Sequence, residues 1–133
     1  MAEWMKGRFL GIVLAAGLLA LASCAMNEKS QREYGLSPLT QNELEALFSR
    51  TRTYSWINYK GEKGTGTDYP DGRKQIYAPD VYSGSWRIRG DKFCIEMPSL
   101  QEDMCSTVIR TQQNEYKLFK PDGSYYLTFS FTN

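Results

Sequence analysis

The hydrophobic and polar residues divide this chain into an apolar leader, a polar stretch, a helical segment and a long strand-rich region. Residues 9–22 are apolar without interruption, whereas residues 25–37 are polar and follow no period. From residue 52 onward, short runs of aromatic and β-branched side chains alternate with turns that contain Gly, Asp or Pro. This is the pattern of successive short β-strands. We therefore expect one folded domain behind a leader and a linker.

A short amphipathic helix is predicted over residues 41–49. Thr40 is a suitable N-cap, and Glu43 stands three residues later, where it completes a capping box. Leu39 and Leu44 occupy the two positions of a hydrophobic staple. One face of the helix should therefore dock on apolar strand residues. The side chains on that face are Leu44, Leu47 and Phe48.

The strand-rich region predicts a mainly β fold, an antiparallel meander of about eight short strands. Asp71-Gly72, Gly90-Asp91 and Asp122-Gly123 are expected to form tight hairpin turns, because glycine readily adopts the positive φ that such turns need. The meander forms either a small barrel or a curled sheet, with the helix over one end or face. We predict strands over 52–59, 64–69, 73–78, 84–90, 92–97, 104–111, 114–120 and 124–131. In the last strand, the residues expected on one face are Tyr125, Leu127, Phe129 and Phe131.

The leader has the features of a secretory signal. Lys6 and Arg8 precede the apolar run, and a short cationic region before 7–15 apolar residues is typical of export. A permanent transmembrane helix is the less favoured alternative, because the run is short and no cluster of charges stops it. Met1 and Met5 are both acceptable starts, since residues 1–4 add nothing that export needs.

The end of the leader resembles the lipobox of bacterial lipoproteins, on the residues Leu21-Ala22-Ser23-Cys24. The resemblance implies that the leader is cut before Cys24 and that this cysteine is diacylated with fatty acids such as palmitate. In such lipoproteins an aspartate directly after the cysteine favours retention at the inner membrane. Ala25 stands at this position, so the resemblance implies that the protein is anchored in the outer membrane and faces the periplasm. We thus predict a signal peptide over 1–23, an acylated cysteine and flexible tether over 24–37, and a β-rich domain over 38–133.

Composition excludes several classes of function. Sixteen Lys and Arg face fifteen Asp and Glu, and this balance argues against nucleic acid as a partner. The chain has no histidine, which excludes Ser-His-Asp and Cys-His catalysis and His-ligated metals. We expect no metal and no cofactor. Without residues 1–23 the charges balance, so the acyl chains alone should hold the protein on the membrane.

The cysteines predict a disulfide. Acylation would use Cys24, which leaves Cys94 and Cys105 as a pair in an oxidising compartment. Their spacing suits neighbouring strands, in which Phe93 would oppose Ser106. A redox-active role is the less favoured alternative, since the spacing is not Cys-x-x-Cys.

A further resemblance rests on Gly84-Ser85-Trp86, Gly90-Asp91, Cys94 and Cys105, in this order behind the helix. The chain resembles, over about residues 39–131, a family of small exported Gram-negative proteins described as a domain of unknown function. The family has no established catalytic residues. The resemblance therefore implies an architecture and a disulfide but no activity.

Three groups of residues are weighed as sites. The glycines of 61–66 lack a Gly-Lys-Ser/Thr ending and a following helix, so we interpret them as a mobile hairpin loop and not as a phosphate site. Arg87, Arg89 and Lys92 form a solvated face or a cationic patch beside the disulfide, which would bind an anionic glycan, a lipid head group or a partner loop. We interpret three aspartates as turn residues and not as a catalytic cluster, namely Asp68, Asp71 and Asp80.

The tyrosines suit either a packed barrel core or a ligand groove, and core packing is the favoured alternative. They are Tyr54, Tyr59, Tyr69, Tyr77, Tyr82, Tyr116, Tyr125 and Tyr126.

These patterns favour a lipid-anchored envelope domain without enzymatic activity, which binds an envelope protein or glycan or has a structural role. The alternative is an inhibitor of a lysozyme-type hydrolase. It rests on a resemblance to lipid-anchored lysozyme inhibitors, in which a Ser-Gly turn lies near the inhibitory loop. Here Tyr82-Ser83-Gly84-Ser85 carries that dipeptide.

The lipobox yields a direct prediction. Cys24→Ala should abolish fatty-acid incorporation, because the thiol that accepts the lipid is lost. Labelling cells with a radioactive fatty acid and following the band of the protein measures this. Incorporation that is unchanged in the variant would refute the assignment.

Overall fold

The computed structural model describes residues 27–33 and 35–133, and in them eight antiparallel strands close into a barrel. The predicted mainly β meander is therefore confirmed. Of the two alternatives, a barrel and a curled sheet, the structure shows the barrel. The first and last strands pair directly, with Tyr54 opposite Phe131 and Trp56 opposite Phe129. The strands are β1 Arg52–Asn58, β2 Lys63–Asp68, β3 Arg73–Tyr77, β4 Val81–Arg89, β5 Lys92–Met97, β6 Glu102–Gln112, β7 Glu115–Phe119 and β8 Tyr125–Phe131.

Among the described residues, two α-helices precede the barrel, α1 Glu28–Glu33 and α2 Gln41–Leu47, and a 3-10 helix Pro98–Leu100 joins β5 to β6. Because the strands alternate in direction, the turns β2–β3, β4–β5 and β6–β7 lie at one end of the barrel. We call it the closed end, because α2 lies across it. The turns β1–β2, β3–β4, β5–β6 and β7–β8 lie at the other end, which we call the open end.

Helix α2 begins as its sequence predicts. Thr40 and Glu43 form the complete capping box. The backbone N–H of Gln41 donates to a carboxylate oxygen of Asp91 in the β4–β5 turn at 2.8 Å, which fixes the helix at the closed end. Leu44 is fully buried, and Leu47 packs against the core.

Phe48, directly after α2, closes the barrel from this end. Its ring stacks on that of Phe93 with centroids 4.5 Å apart and lies 5.4 Å from the ring of Trp86. The rings of Phe129 and Phe131 complete the cluster. The expected docking of the helix on apolar strand residues is therefore confirmed.

Cys94 and Cys105 form a disulfide between the adjacent strands β5 and β6. Their Cα atoms are 3.9 Å apart. The register is the expected one, with Phe93 opposite Ser106. The bond therefore fastens the outer face of the hairpin in the register that directs Phe93 into the core.

The predicted alternation fails at the start of β8. A register shift separates the pair Leu118–Leu127 from the pair Phe119–Tyr125. This bulge directs Tyr125 to the outside of the barrel, where its hydroxyl lies 2.6 Å from that of Thr128. The expectation that Tyr125 shares a face with Leu127 is therefore wrong, because a bulge adds one residue and reverses every side chain before it.

The stretch expected as a flexible tether contains structure in its described part. The side chain of Asn27 accepts from the backbone N–H of Ser30 at 2.8 Å, and Glu28 pairs with Arg32 one turn later. The backbone N–H of Glu28 also donates to the carbonyl of Gly123 at 3.0 Å. Helix α1 therefore lies against the β7–β8 turn, which differs from the expected free linker.

The signal segment 1–23 and the predicted acylation site Cys24 lie outside the described residues. Within 27–33 and 35–133, the helices are too short or too polar to cross a membrane.

The disulfide can be tested by stability. Replacing Cys94 and Cys105 together by serine should lower the free energy of unfolding by about 2–4 kcal/mol, because the unfolded chain regains the entropy that the closed loop removes. Urea denaturation of the oxidised protein and of the variant measures the difference. Reduced wild-type protein is the matched control and should unfold like the variant; identical midpoints for all three would contradict a stabilising bond.

Candidate functional site

A cavity of about 750 Å³ occupies the barrel from the closed end to the open end. Phe48 forms its floor, and exposed residues of the turns at the open end, such as Glu62 and Pro79, lie at its mouth. The walls are mostly apolar. The apolar residues between floor and mouth are Trp56, Ile76, Phe93, Ile95, Leu118, Leu127 and Phe129.

Glycines on the inner face of β2 allow neighbouring rings to lie flat against the wall, which keeps this cavity open. A Cβ atom on Gly66 would lie 2.5 Å from the ring of Tyr54, and one on Gly64 would lie 2.7 Å from the ring of Trp56. Both rings therefore lie against the wall at β2 and do not project across the barrel. Gly84 on β4 has no room for a side chain either, since a Cβ atom there would overlap Met97.

One polar group lies deep in the cavity wall. The ammonium of Lys74 donates to the Tyr54 hydroxyl at 2.8 Å and to the two carboxylate oxygens of Asp68 at 2.9 and 3.2 Å. The Tyr54 hydroxyl in turn donates to Asp68 at 3.1 Å. All three side chains are buried. The ammonium has three donors, and each has a partner within the group.

The surroundings of this group shift the pKa values of Lys74 and Tyr54. Burial lowers the pKa of Lys74, but Tyr54 and the Asp68 carboxylate more than offset this, so the pKa lies above its ordinary value. Burial raises the pKa of Tyr54 to about 12. The ammonium, the carboxylate and the phenol are hydrogen-bonded to one another, so the group offers no free base or nucleophile.

Asp68 lies in a strand and not in a turn, which corrects the expectation from the sequence. We expected Asp68, Asp71 and Asp80 in turns, but Asp68 is the last residue of β2 and points into the barrel. Asp71 lies in the β2–β3 turn and pairs with Arg73, and Asp80 lies in the β3–β4 turn at the other end. The three carboxylates are therefore no cluster.

Lys74 was not singled out from the sequence, although a signal was present. It precedes Ile76 by two residues on β3, and residues two apart in a strand share a face. An apolar residue at 76 therefore indicates that Lys74 also points inward, where it needs a buried carboxylate as its partner.

The mouth carries a second polar contact. The Tyr126 hydroxyl donates to the Glu102 carboxylate at 2.7 Å. Burial, the hydrogen bond to Glu102 and nearby negative charge all raise the pKa of Tyr126. The bulge in β8 is what turns Tyr126 toward the cavity, and two lysines, Lys60 and Lys63, also line the mouth.

The predicted cationic patch lies on the outer face of the barrel. Arg87 and Arg89 are exposed on β4, where Arg87 opposes Cys94 and Arg89 opposes Lys92. The Lys92 ammonium donates to the Thr107 hydroxyl at 2.6 Å. These residues stand beside the disulfide, as expected, but they do not line the cavity.

The tyrosines serve both of the roles considered. Tyr116 is a core residue, and Tyr125 lies outside the barrel. The tyrosines that line the cavity are Tyr54, Tyr77, Tyr82 and Tyr126.

Two short motifs lie in strands and not in loops. Residues 63–66 of the glycine-rich segment belong to β2, so the expected mobile loop is confined to the β1–β2 turn. Ser83-Gly84 lies within β4, so it does not form the turn on which the resemblance to lysozyme inhibitors rests.

The fold and the cavity define a class of protein, a closed eight-stranded antiparallel barrel with a space open at one end. Barrels of this size either fill their interior with side chains or hold one small ligand. The chain matches no protein-family model, no curated protein and no solved structure. The resemblance to a family of exported domains therefore stays a prediction. In the described residues, no group of three or more Cys, Asp or Glu is placed to hold a metal ion.

The buried ion pair predicts that substitutions of Lys74 and Asp68 have strongly non-additive effects on the free energy of unfolding. Lys74→Met should lower the free energy of unfolding by about 3–5 kcal/mol, because it leaves Asp68 buried without a counter-charge. Adding Asp68→Leu should recover most of the loss, since no charge is then left alone. Urea denaturation of the two single variants and the double variant measures the coupling. Additive losses in the double variant would show that the pair does not act as a unit.

Proposed function

We propose that this protein is a non-enzymatic binding protein of the bacterial envelope, which encloses one small and mostly apolar ligand in its barrel. The observation that carries the proposal is the cavity of about 750 Å³ with a closed floor and one open end. Ligand sites commonly measure about 300–1,000 Å³ and combine apolar walls with a few polar groups.

The polar groups of the cavity limit the chemistry of the ligand. Lys74 and Asp68 satisfy each other, so neither is an unpaired charge that would bind a counter-ion. The apolar walls between floor and mouth would provide the affinity. A charged or strongly polar part of the ligand would lie at the mouth, among Lys60, Lys63 and Glu102.

The assignment to the envelope rests on the sequence. The lipobox ending at Cys24 supports a lipid anchor, and the disulfide is consistent with an oxidising compartment. The mutual hydrogen bonds of Tyr54, Asp68 and Lys74 leave no free base or nucleophile in this group, which supports a binding role over catalysis. Inhibition of a lysozyme-type hydrolase stays a prediction of the sequence, and no contact in the barrel favours it.

Ligand binding can be measured with residues 27–133 and the polyene fatty acid cis-parinaric acid, whose own emission rises in an apolar site. The wild-type segment should bind about one molecule per barrel. Ile76→Trp should weaken binding about tenfold or more, because the larger ring fills part of the cavity. Ser83→Trp adds the same ring to the outer face of β4 and should bind like wild type.

Both variants should keep the fold, which urea denaturation checks. Equal binding by the Ile76→Trp and Ser83→Trp variants would place the probe outside the barrel. If the wild-type segment binds no probe, the cavity is no ligand site, and the proposed function is contradicted.

A further inference from the structure

The large hydrophobic residues that the described part of the chain exposes gather at one end of the barrel. Ile57 is 41% exposed, Tyr59 48%, Val81 59% and Leu100 39%. Single exposed apolar residues are ordinary on a protein surface. These four, however, all lie at the open end, and none lies at the closed end.

The four residues come from three separate connections around the mouth. Ile57 and Tyr59 lie at the end of β1 and in the β1–β2 turn, Val81 begins β4, and Leu100 lies in the 3-10 helix between β5 and β6. We call these four residues the apolar rim. It surrounds the entrance of the cavity, so whatever covers the rim also faces the entrance.

The N-terminal end of the described chain lies at the same end of the barrel. Glu28 is hydrogen-bonded to Gly123 in the β7–β8 turn, and only three peptide steps separate Asn27 from Cys24. Three residues reach at most about 11 Å when fully extended. An acyl chain on Cys24 would therefore hold the open end, and not the closed end, close to the membrane.

The charges around the rim argue for apolar and not for electrostatic contact. Lysines and arginines stand among carboxylates at this end: the cations include Lys29, Arg32, Lys60, Lys63 and Lys120, and the anions include Glu28, Glu62, Asp80, Glu102, Asp103 and Asp122. This mixture gives no net attraction to anionic lipid. The ammonium of Lys120 lies 4.1 Å from the centre of the Tyr59 ring. A tyrosine beside a lysine suits the interface between acyl chains and head groups, since both residues combine an apolar part with a polar end.

We propose that the open end docks on the lipid surface that carries the anchor, and that the cavity takes up an acyl chain from that surface with the apolar tail first. The proposal rests on the proposed function of the cavity and on acylation of Cys24, and it adds the orientation of the barrel and the class of ligand. The tail would enter toward Phe48, and the polar head would stay at the mouth.

The docked orientation is tested with the full chain, exported and acylated in a bacterial host and reconstituted into phosphatidylcholine vesicles. Val81→Trp places a fluorescent reporter on the rim. Arg89→Trp is the matched control at the other end of the outer face of β4, eight residues along the same strand. Vesicles with bromine on the acyl chains should quench the emission of the first variant well below that of the second. Equal quenching of both variants would overturn the docking.

Uptake is tested with Ile57→Ser combined with Val81→Ser, two rim residues that do not line the cavity. The double variant should take up a fluorescent fatty acid from vesicles about tenfold more slowly, because less apolar surface can enter the lipid. Its affinity for cis-parinaric acid in water should stay that of wild type. Gln112→Ser combined with Gln113→Ser changes two exposed, uncharged residues at the β6–β7 turn of the closed end and should change neither quantity.

The two proposals fail in different ways. Unchanged uptake by the Ile57→Ser, Val81→Ser variant would overturn uptake through the rim, while normal binding of cis-parinaric acid in water would leave the proposed function standing. Loss of probe binding in water by the wild-type protein would contradict the proposed function itself. Quenching of the rim reporter without any probe binding would then mark the open end as a lipid contact with no ligand site behind it.

Discussion

Closure of the sheet is the constraint on which the rest of this structure depends. When β1 pairs with β8, every strand has a neighbour on both sides, and an inside separate from the outside exists. Eight strands set a diameter that side chains can fill or leave partly open. In this barrel the aromatic cluster around Phe48 fills the closed end, and glycines on β2 let the rings of Tyr54 and Trp56 lie against the wall, which leaves space above the cluster.

The same closure makes a buried ion pair tolerable. Asp68 and Lys74 come from adjacent strands and both point inward, where each would be costly alone. Tyr54 from β1 adds the remaining hydrogen bonds. Side chains from three neighbouring strands thus form all the hydrogen bonds of the buried ammonium within an apolar wall.

The described chain before β1 contacts both ends of the barrel but covers only one of them. Helix α2 covers the closed end through Asp91, and α1 lies against the β7–β8 turn at the open end. The segment between them pairs at one point with β6, where Pro38 bridges to Ile109. An acyl chain on Cys24, as proposed, would therefore have a direction relative to the cavity, which a free tether would not give it.

Local signals determined much of the fold. The capping box of α2, the turns with Gly, the disulfide and its register follow from spacings of a few residues, because hydrogen bonds and strand pairing at short range depend on neighbours in sequence. Tertiary structure alone decided the pairing of β1 with β8, the bulge that turns Tyr126 inward and the contact of Asp68 with Lys74. These features depend on how much space remains when all strands meet. That space is set by the sum of all side chains across the barrel, which no single stretch of sequence contains.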